Sequence, residues 1–254
     1  MKEIIALINQ KGGVGKTTTV HALGAGLKRM GFVVLFIDLD PQSNLSFVTG
    51  ASSGHRGSYE VLTRRTQTQA AIQRTVSGDI ITASPALATE EILIGAGREH
   101  CLKEALEPLK RMYDYVVIDC PPSLGILTIN ALTAATGVII PAQADIFSLQ
   151  ALGQFSGTLE AVKRHTNPDL ILKGILITRF SGRVILSRDI QDMMQGAAKL
   201  LNTKVYKTEI RECVAIKEAQ AKKQDIFTYA PKSHAATDYN LFIREATGNV
   251  KEKL

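Results

Sequence analysis

The chain has 254 residues, 45% of them hydrophobic, and a formal net charge of +6; this excludes a disordered chain and allows one large α/β domain with a substantial core, expected to span residues 1–254. Trp is absent and aromatic residues make up 6%, which speaks against a stacking platform for single-stranded nucleic acid. No apolar run approaches the ~20 residues of a membrane-spanning helix, no secretory leader is expected ahead of the first strand, and Cys101, Cys120 and Cys213 are too scattered for a disulfide framework or a metal cage, so a cytosolic protein is expected.

In chain order, "EIIALI" (residues 3–8) reads as a short buried strand. A glycine loop follows, and "KTTTVHALGAGLKRMG" has helical spacing with a closing glycine. "FVVLFIDLD" is a second buried strand that ends in acids. Residues 51–78 are polar, with short helices expected around "SYEVLTRR" and "TQAAIQRT". "DIITAS" is a third strand, and "EEILIGAGREHCLKEALEPLKRM" reads as helical with a break near Gly95–Gly97. "YDYVVIDCPP" is a strand ending in an acid and two prolines. Next come a helix in "LGILTINALTAA", a strand in "TGVIIPA" and a long helix in "FSLQALGQFSGTLEAVKRHT". "LILKGILITRF" and "KVYKTEI" read as strands, "SRDIQDMMQGAAKLL" and "HAATDYNLFIREAT" as helices. This alternation predicts a mostly parallel twisted sheet with helices on both faces.

The chemistry sits at three strand ends. A phosphate-binding loop has the spacing G-x-x-x-x-G-K-[ST] between a strand and a helix. Here Gly15, Lys16 and Thr17 supply its end, Gly12 and Gly13 lie inside it, and Gln10 stands where the first glycine is expected. Backbone N–H groups of such a loop, at the positive end of a helix, cradle phosphate oxygens. Lys16 is expected to reach the β- and γ-phosphates, and the Thr17 hydroxyl to bind Mg²⁺. Ligands of open α/β sheets lie beyond the carboxyl ends of the strands, where "FIDLDPQ" puts Asp38 and Asp40 and "VVIDCPP" puts Asp119. Any one of these acids alone reads as a helix cap or a solvated loop residue. Three of them beside a phosphate loop read as a site for a hard cation.

"KGGVGKTT", "DLDPQSN" and "VVIDCPPSLGILTINAL" together resemble the ParA/Soj partition ATPases, within the deviant Walker-A class of P-loop NTPases that includes MinD and the nitrogenase iron protein. The resemblance runs from about residue 2 to the final helix. It implies an ATPase using ATP and Mg²⁺ that forms a sandwich homodimer around two ATP molecules. As that dimer it would bind double-stranded DNA without sequence preference, and a ParB-like centromere-binding partner would stimulate hydrolysis and release it. A cytoplasmic, nucleoid-associated location follows from the same likeness.

The resemblance also implies roles. Lys11 takes the place of the signature lysine that crosses to the other subunit's ATP. Gly12, Gly13, Val14, Gly15, Lys16, Thr17 and Thr18 hold the nucleotide, with Thr18 on the α-phosphate. Asp40 positions the attacking water, and Asp38 and Asp119 hold Mg²⁺ through water. Arg211, together with Gln220 and Lys223, departs from the Pro and Gly that relatives often carry near the adenine. Arg183 falls where related proteins have a DNA-contacting arginine.

Charge adds to this. Residues 1–150 hold 13 Lys+Arg and 13 Asp+Glu, while residues 151–254 hold 17 and 11, so all the excess lies in the second part. Arg188, Lys199, Lys217, Lys222 and Lys223 are candidates to join Arg183 on a polyanion surface; each taken singly reads equally as a solvated helix face. The alternative is a membrane-cycling positioning ATPase like MinD, which needs a basic amphipathic C-terminal helix. Here "DYNLFIREATGNVKEKL" is broken by Gly248, and its apolar Tyr239, Leu241 and Phe242 are expected to dock on the domain, so no membrane contact is expected.

Overall fold

The apolar runs become strands because both faces of a parallel sheet are covered, which favours apolar residues along most of each strand and leaves polar ones mainly at the strand ends. The computed structural model describes residues 1–52, 56–89, 95–180 and 187–248, and for 187–191 the backbone alone. The strands are β1 (Glu3–Leu7), β2 (Val34–Asp38), β3 (Ile72–Arg74), β4 (Asp79–Ile81), β5 (Tyr115–Asp119), β6 (Gly137–Ala142), β7 (Ile171–Phe180) and β8 (Ile210–Arg211). They form one sheet in the order β3-β4-β2-β5-β1-β6-β7-β8, parallel throughout except for β3 against β4. Every residue of β2, β5 and β6 is buried.

Two apolar layers sandwich this sheet. One packs the helices α1 (Lys16–Arg29), α2 (Asn44–Val48), α8 (Val214–Ala221), α9 (Ile226–Tyr229) and α10 (His234–Ala246) over Ile5, Phe36 and Val117. The other packs α3 (Ser58–Leu62), α4 (Cys101–Leu106), α5 (Ile126–Ala134), α6 (Ile146–His165) and α7 (Ser187–Leu200) over Ala6, Ile37 and Ile118. The first layer decides where the phosphate loop sits, because α1 leaves that loop directly. Two helix-interior glycines let α1 lie close. A Cβ at Gly24 would stand 2.1 Å from the Phe36 ring, and one at Gly26 would stand 2.2 Å from Ile243 of α10. As expected, α10 docks on the domain: Tyr239 and Phe242 are buried, while Leu241 is half-exposed.

His21, inside α1, is buried and shares a 2.9 Å hydrogen bond with Ser77. Burial pushes its pKa down to about 4, against the pull of Asp225 that raises it. The unfolded chain therefore takes up this proton first as pH falls. The contribution is intact above the ordinary histidine value and is lost between about 6.5 and 4. Relative to His21→Gln, the wild type should lose about 2 kcal/mol more stability between pH 7 and pH 5 in urea unfolding. Parallel pH profiles for the two proteins would show that His21 is not held neutral.

The chain departs from its sequence pattern in four places. "TQAAIQRT" is not a helix: a 3-10 turn covers Thr68–Ala71, and Ile72–Arg74 turns into the antiparallel edge strand β3. The open edge of β4 offers it backbone partners, and a turn closed by Thr75 N–H to Gly78 O, 3.1 Å, joins the two. "KVYKTEI" gives no continuous strand, only a bridge from Val205 to Ile175 and the two residues of β8. Helices α2, α8 and α9 form where only loops were read. Of the segment 90–112, residues 90–94 lie outside the described residues; the rest is a 3-10 turn at Arg98–His100, α4, and a second such turn at Glu107–Leu109.

Candidate nucleotide site

The loop between β1 and α1 is shaped by its glycines. Gly13 and Gly15 take φ values of 75° and 82°, in the left-handed region where a side chain is strained. Nothing lies within 4 Å of a Cβ built on Gly12 or Gly13, so the loop faces open space there. Gly15 ends in the N-terminus of α1, with no side-chain cap. The first turn of a helix leaves its N–H groups without intrahelical partners, and these face the same space. Val14 is buried, and its carbonyl accepts from Thr178 Oγ1 at 2.7 Å, which pins the loop to β7.

Beside the loop opens a cleft of about 600 Å³. Its lining includes Gly12, Gly13, Gly15, Lys16, Thr17, Thr18 and Asp40 from the motif regions. Phe47 and Val48 of α2 and Ile210, Arg211, Ile216, Lys217 and Gln220 around β8 and α8 make its other walls. Lys16 is 8% exposed, and its Nζ donates to the carbonyl of Lys11 at 3.3 Å. Burial lowers its pKa below the ordinary lysine value, while Asp119 and Asp40 pull it back up.

The acids are brought together by sheet register: Asp38 on β2 and Asp119 on β5 are direct neighbours. Asp38 is fully buried and accepts from Ser46 N–H at 2.8 Å and Ser46 Oγ at 2.7 Å. Burial pushes its pKa up to about 6, against those hydrogen bonds. Asp119 is fully buried, and neither of its oxygens accepts a hydrogen bond of ordinary geometry. Burial and then Asp38 drive its pKa well above the carboxylate range, with Thr17 and Lys16 pulling the other way. Asp40 is 7% exposed; its Oδ1 accepts from Gln42 N–H at 3.0 Å, and among the described residues Oδ2 accepts nothing.

An orphaned buried carboxylate beside a second acid, a threonine hydroxyl and an open phosphate loop fits a hard divalent cation. Among the described residues no three His, Cys, Asp or Glu side chains converge as a metal cage.

Other expected residues are placed differently. Thr18 faces the cleft with its hydroxyl accepting from Gln220 Nε2 at 2.9 Å. Arg211 lines the cleft, but Asp238 grips its guanidinium through Nε at 2.9 Å and Nη2 at 2.6 Å. Lys11 is not in the cleft wall; its ammonium pairs with Asp145. Lys217 lines the cleft, and Lys223 lies 4.8 Å over the Phe47 ring at its edge. Lys199 is exposed on α7 and Lys222 at the end of α8, helices packed on opposite faces of the sheet. Arg183 and the side chain of Arg188 lie outside the described residues. Asp145, Gln143, Arg179 and Asp238 were missed by sequence reasoning. Only Asp145 carries a signal, as an acid just ahead of a helical pattern.

Comparison with known proteins gives this geometry its setting. A family model described as an AAA domain matches residues 2–172. The sporulation initiation inhibitor protein Soj of Bacillus subtilis is 40% identical over 98% of this chain and 100% of its own length. The chain belongs to the ParA/Soj family of partitioning ATPases. A second member, the chromosome-partitioning ATPase Soj of Thermus thermophilus, is 39% identical over 98% of this chain and 96% of its own. A crystal structure titled cobyrinic acid a,c-diamide synthase from Mycobacterium smegmatis, with bound ATP analog and magnesium, superposes with a TM-score of 0.84. It shares 37% sequence identity and covers 99% of this chain and 98% of its own. No helix among the described residues is long and apolar enough to cross a membrane.

Proposed function

We propose that the chain is a DNA-partitioning ATPase that works as a homodimer closed around two ATP molecules. The observation that carries this reading is the buried, unpaired Asp119 beside Asp38, next to an open phosphate loop with two lysines. The amides of Gly12 to Thr18 and the Lys16 ammonium hold the phosphates; Lys16 is the cation within reach of Asp119 and Asp40. Thr17, with Asp38 and Asp119 through water, would hold Mg²⁺, which neutralises charge that develops on the phosphates. Asp40 holds the attacking water with its open oxygen and takes up its proton as the water attacks. Lys11 arrives from the second subunit and adds positive charge only after assembly; charges supplied in that way are worth about 10³–10⁵ in rate.

The assembled dimer is proposed to bind duplex DNA through basic side chains of the second half; Lys199 and Lys222, on opposite faces of the sheet, are alternative members of that surface, with Arg183 and Arg188 as further candidates. Each monomer brings half of that surface, and affinity rises with the number of phosphates neutralised. A ParB-like protein would supply the stimulus for hydrolysis. We further take residues 1–254 as one domain.

One experiment tests the reading. Sedimentation of wild type and Lys11→Ala with saturating ATP and Mg²⁺, with and without duplex DNA over a salt series, should give an ATP dimer only for the wild type. That dimer should bind DNA of any sequence, more weakly as salt rises. Lys11→Ala should bind ATP and stay monomeric. A dimer of equal population in the variant, or DNA binding that is the same with ADP, would overturn the proposal.

A further inference from the structure

Lys11 has a partner inside its own chain. Its Nζ pairs with Asp145 at the start of α6 and donates to Gln143 Oε1 at 3.1 Å, and the Phe147 ring centroid lies 5.9 Å away. Its backbone is held as well: Lys11 N–H donates to Asn9 Oδ1 at 2.9 Å, and Asn9 Nδ2 donates to Pro141 O at 2.8 Å. Gln143 Nε2 reaches back to the Gly13 carbonyl at 3.4 Å. The front of the phosphate loop and residues 141–147 are thus laced together. The start of α6 does not depend on this ion pair, since the other Asp145 oxygen caps the helix by accepting from Ser148 N–H at 2.8 Å. Next to the pair, Ile146 is 60% and Phe147 67% exposed. Apolar side chains so placed fit a surface that another copy of the chain covers.

We propose that Asp145 and Gln143 are positioning residues that latch Lys11 in cis, so that forming the ATP dimer requires each subunit first to release its own lysine. This rests on the reading of Lys11 as the cross-subunit lysine. The latch sets how readily dimers form, not the chemistry once they exist. With side chains 27% and 31% exposed, the ion pair is partly screened and holds each lysine by a modest margin. Burial raises the Asp145 carboxyl, but Lys11 and the Ser148 amide outweigh it and keep it below the ordinary value, so it stays ionised at neutral pH.

Asp145→Asn removes the charge and keeps a good helix cap. With ATP and Mg²⁺, its dimerisation constant should rise about tenfold, because two latches open per dimer and each is worth roughly threefold. Turnover per dimer at saturating protein should match the wild type, a separation that a merely structural defect would not produce. Lys11→Ala/Asp145→Asn should dimerise no better than Lys11→Ala, because nothing is left to release. If Asp145→Asn dimerises equally or more weakly while Lys11→Ala fails to dimerise, the latch is overturned and the cross-subunit role of Lys11 stands. If Lys11→Ala dimerises like the wild type, the underlying reading fails instead.

Discussion

Lys16→Ala is expected to lower ATP affinity by at least about a hundredfold. Lys16 is the buried cation of the site, and burial already lowers its pKa against the pull of Asp119 and Asp40. Burial makes such an ammonium costly, the acids offset part of that cost, and it gains most when triphosphate oxygens complete its shell. Charge-assisted hydrogen bonds contribute about 1.5–3 kcal/mol each, so loss of even one or two gives about a hundredfold. The fold should survive, because among the described residues the amine makes one hydrogen bond, at 3.3 Å to the Lys11 carbonyl. Isothermal titration of wild type and variant with ATP and Mg²⁺ measures the difference, with circular dichroism as the check on folding. Equal affinities would remove the phosphate loop from the account of this site.

Asp40→Ala is expected to leave ATP binding and the ATP dimer in place while turnover falls by about 10²–10⁴, the usual contribution of a positioned acid–base group. Asp40 lines the cleft with one oxygen committed to the Gln42 amide and the other, among the described residues, accepting nothing. Nothing in the loop or α1 depends on it by hydrogen bond, and the proposed cation ligands Asp38 and Asp119 are untouched. Single-turnover hydrolysis separates chemistry from binding. A variant that turns over at the wild-type rate, with ATP bound, would pass the water-positioning role to another residue. A folded variant that stays monomeric with ATP and Mg²⁺ would show instead that Asp40 belongs to assembly.

Much of the fold was legible because its cues are local. The strands β1, β2, β5, β6 and β7 are short apolar runs bounded by breakers, and α1 announces itself by a glycine loop at one end and a glycine at the other. The elements misread were those without a local cue. "TQAAIQRT" has no strand alternation, and β3 exists only because β4 leaves an edge to pair. Helix α8 follows a segment with no cap signal; its end is tied by Gln224 N–H to Ala219 O at 3.0 Å, with Lys223 in the left-handed region at φ 53° where glycine is favoured. Part of the site was legible on the same terms. The loop residues follow a contiguous motif, and the acids sit at the ends of recognisable strands.

What the sequence by itself determined is the set of groups at the strand ends: a loop that must offer N–H groups and a lysine, and three acids where parallel strands stop. Chain connectivity places these groups, so neighbouring residues suffice to read them. What the tertiary structure decided is which groups face one another. Asp38 and Asp119 become neighbours through the register of β2 with β5. Lys11 meets Asp145, Thr18 meets Gln220, and Arg211 meets Asp238, all joined by folding across long stretches of chain. An ion pair or hydrogen bond depends on separation in space, and no local pattern of residue types encodes which distant group will complete it. The proposed latch is of this kind: the motif supplies the lysine, and only the packing of α6 beside the loop supplies the acid that holds it.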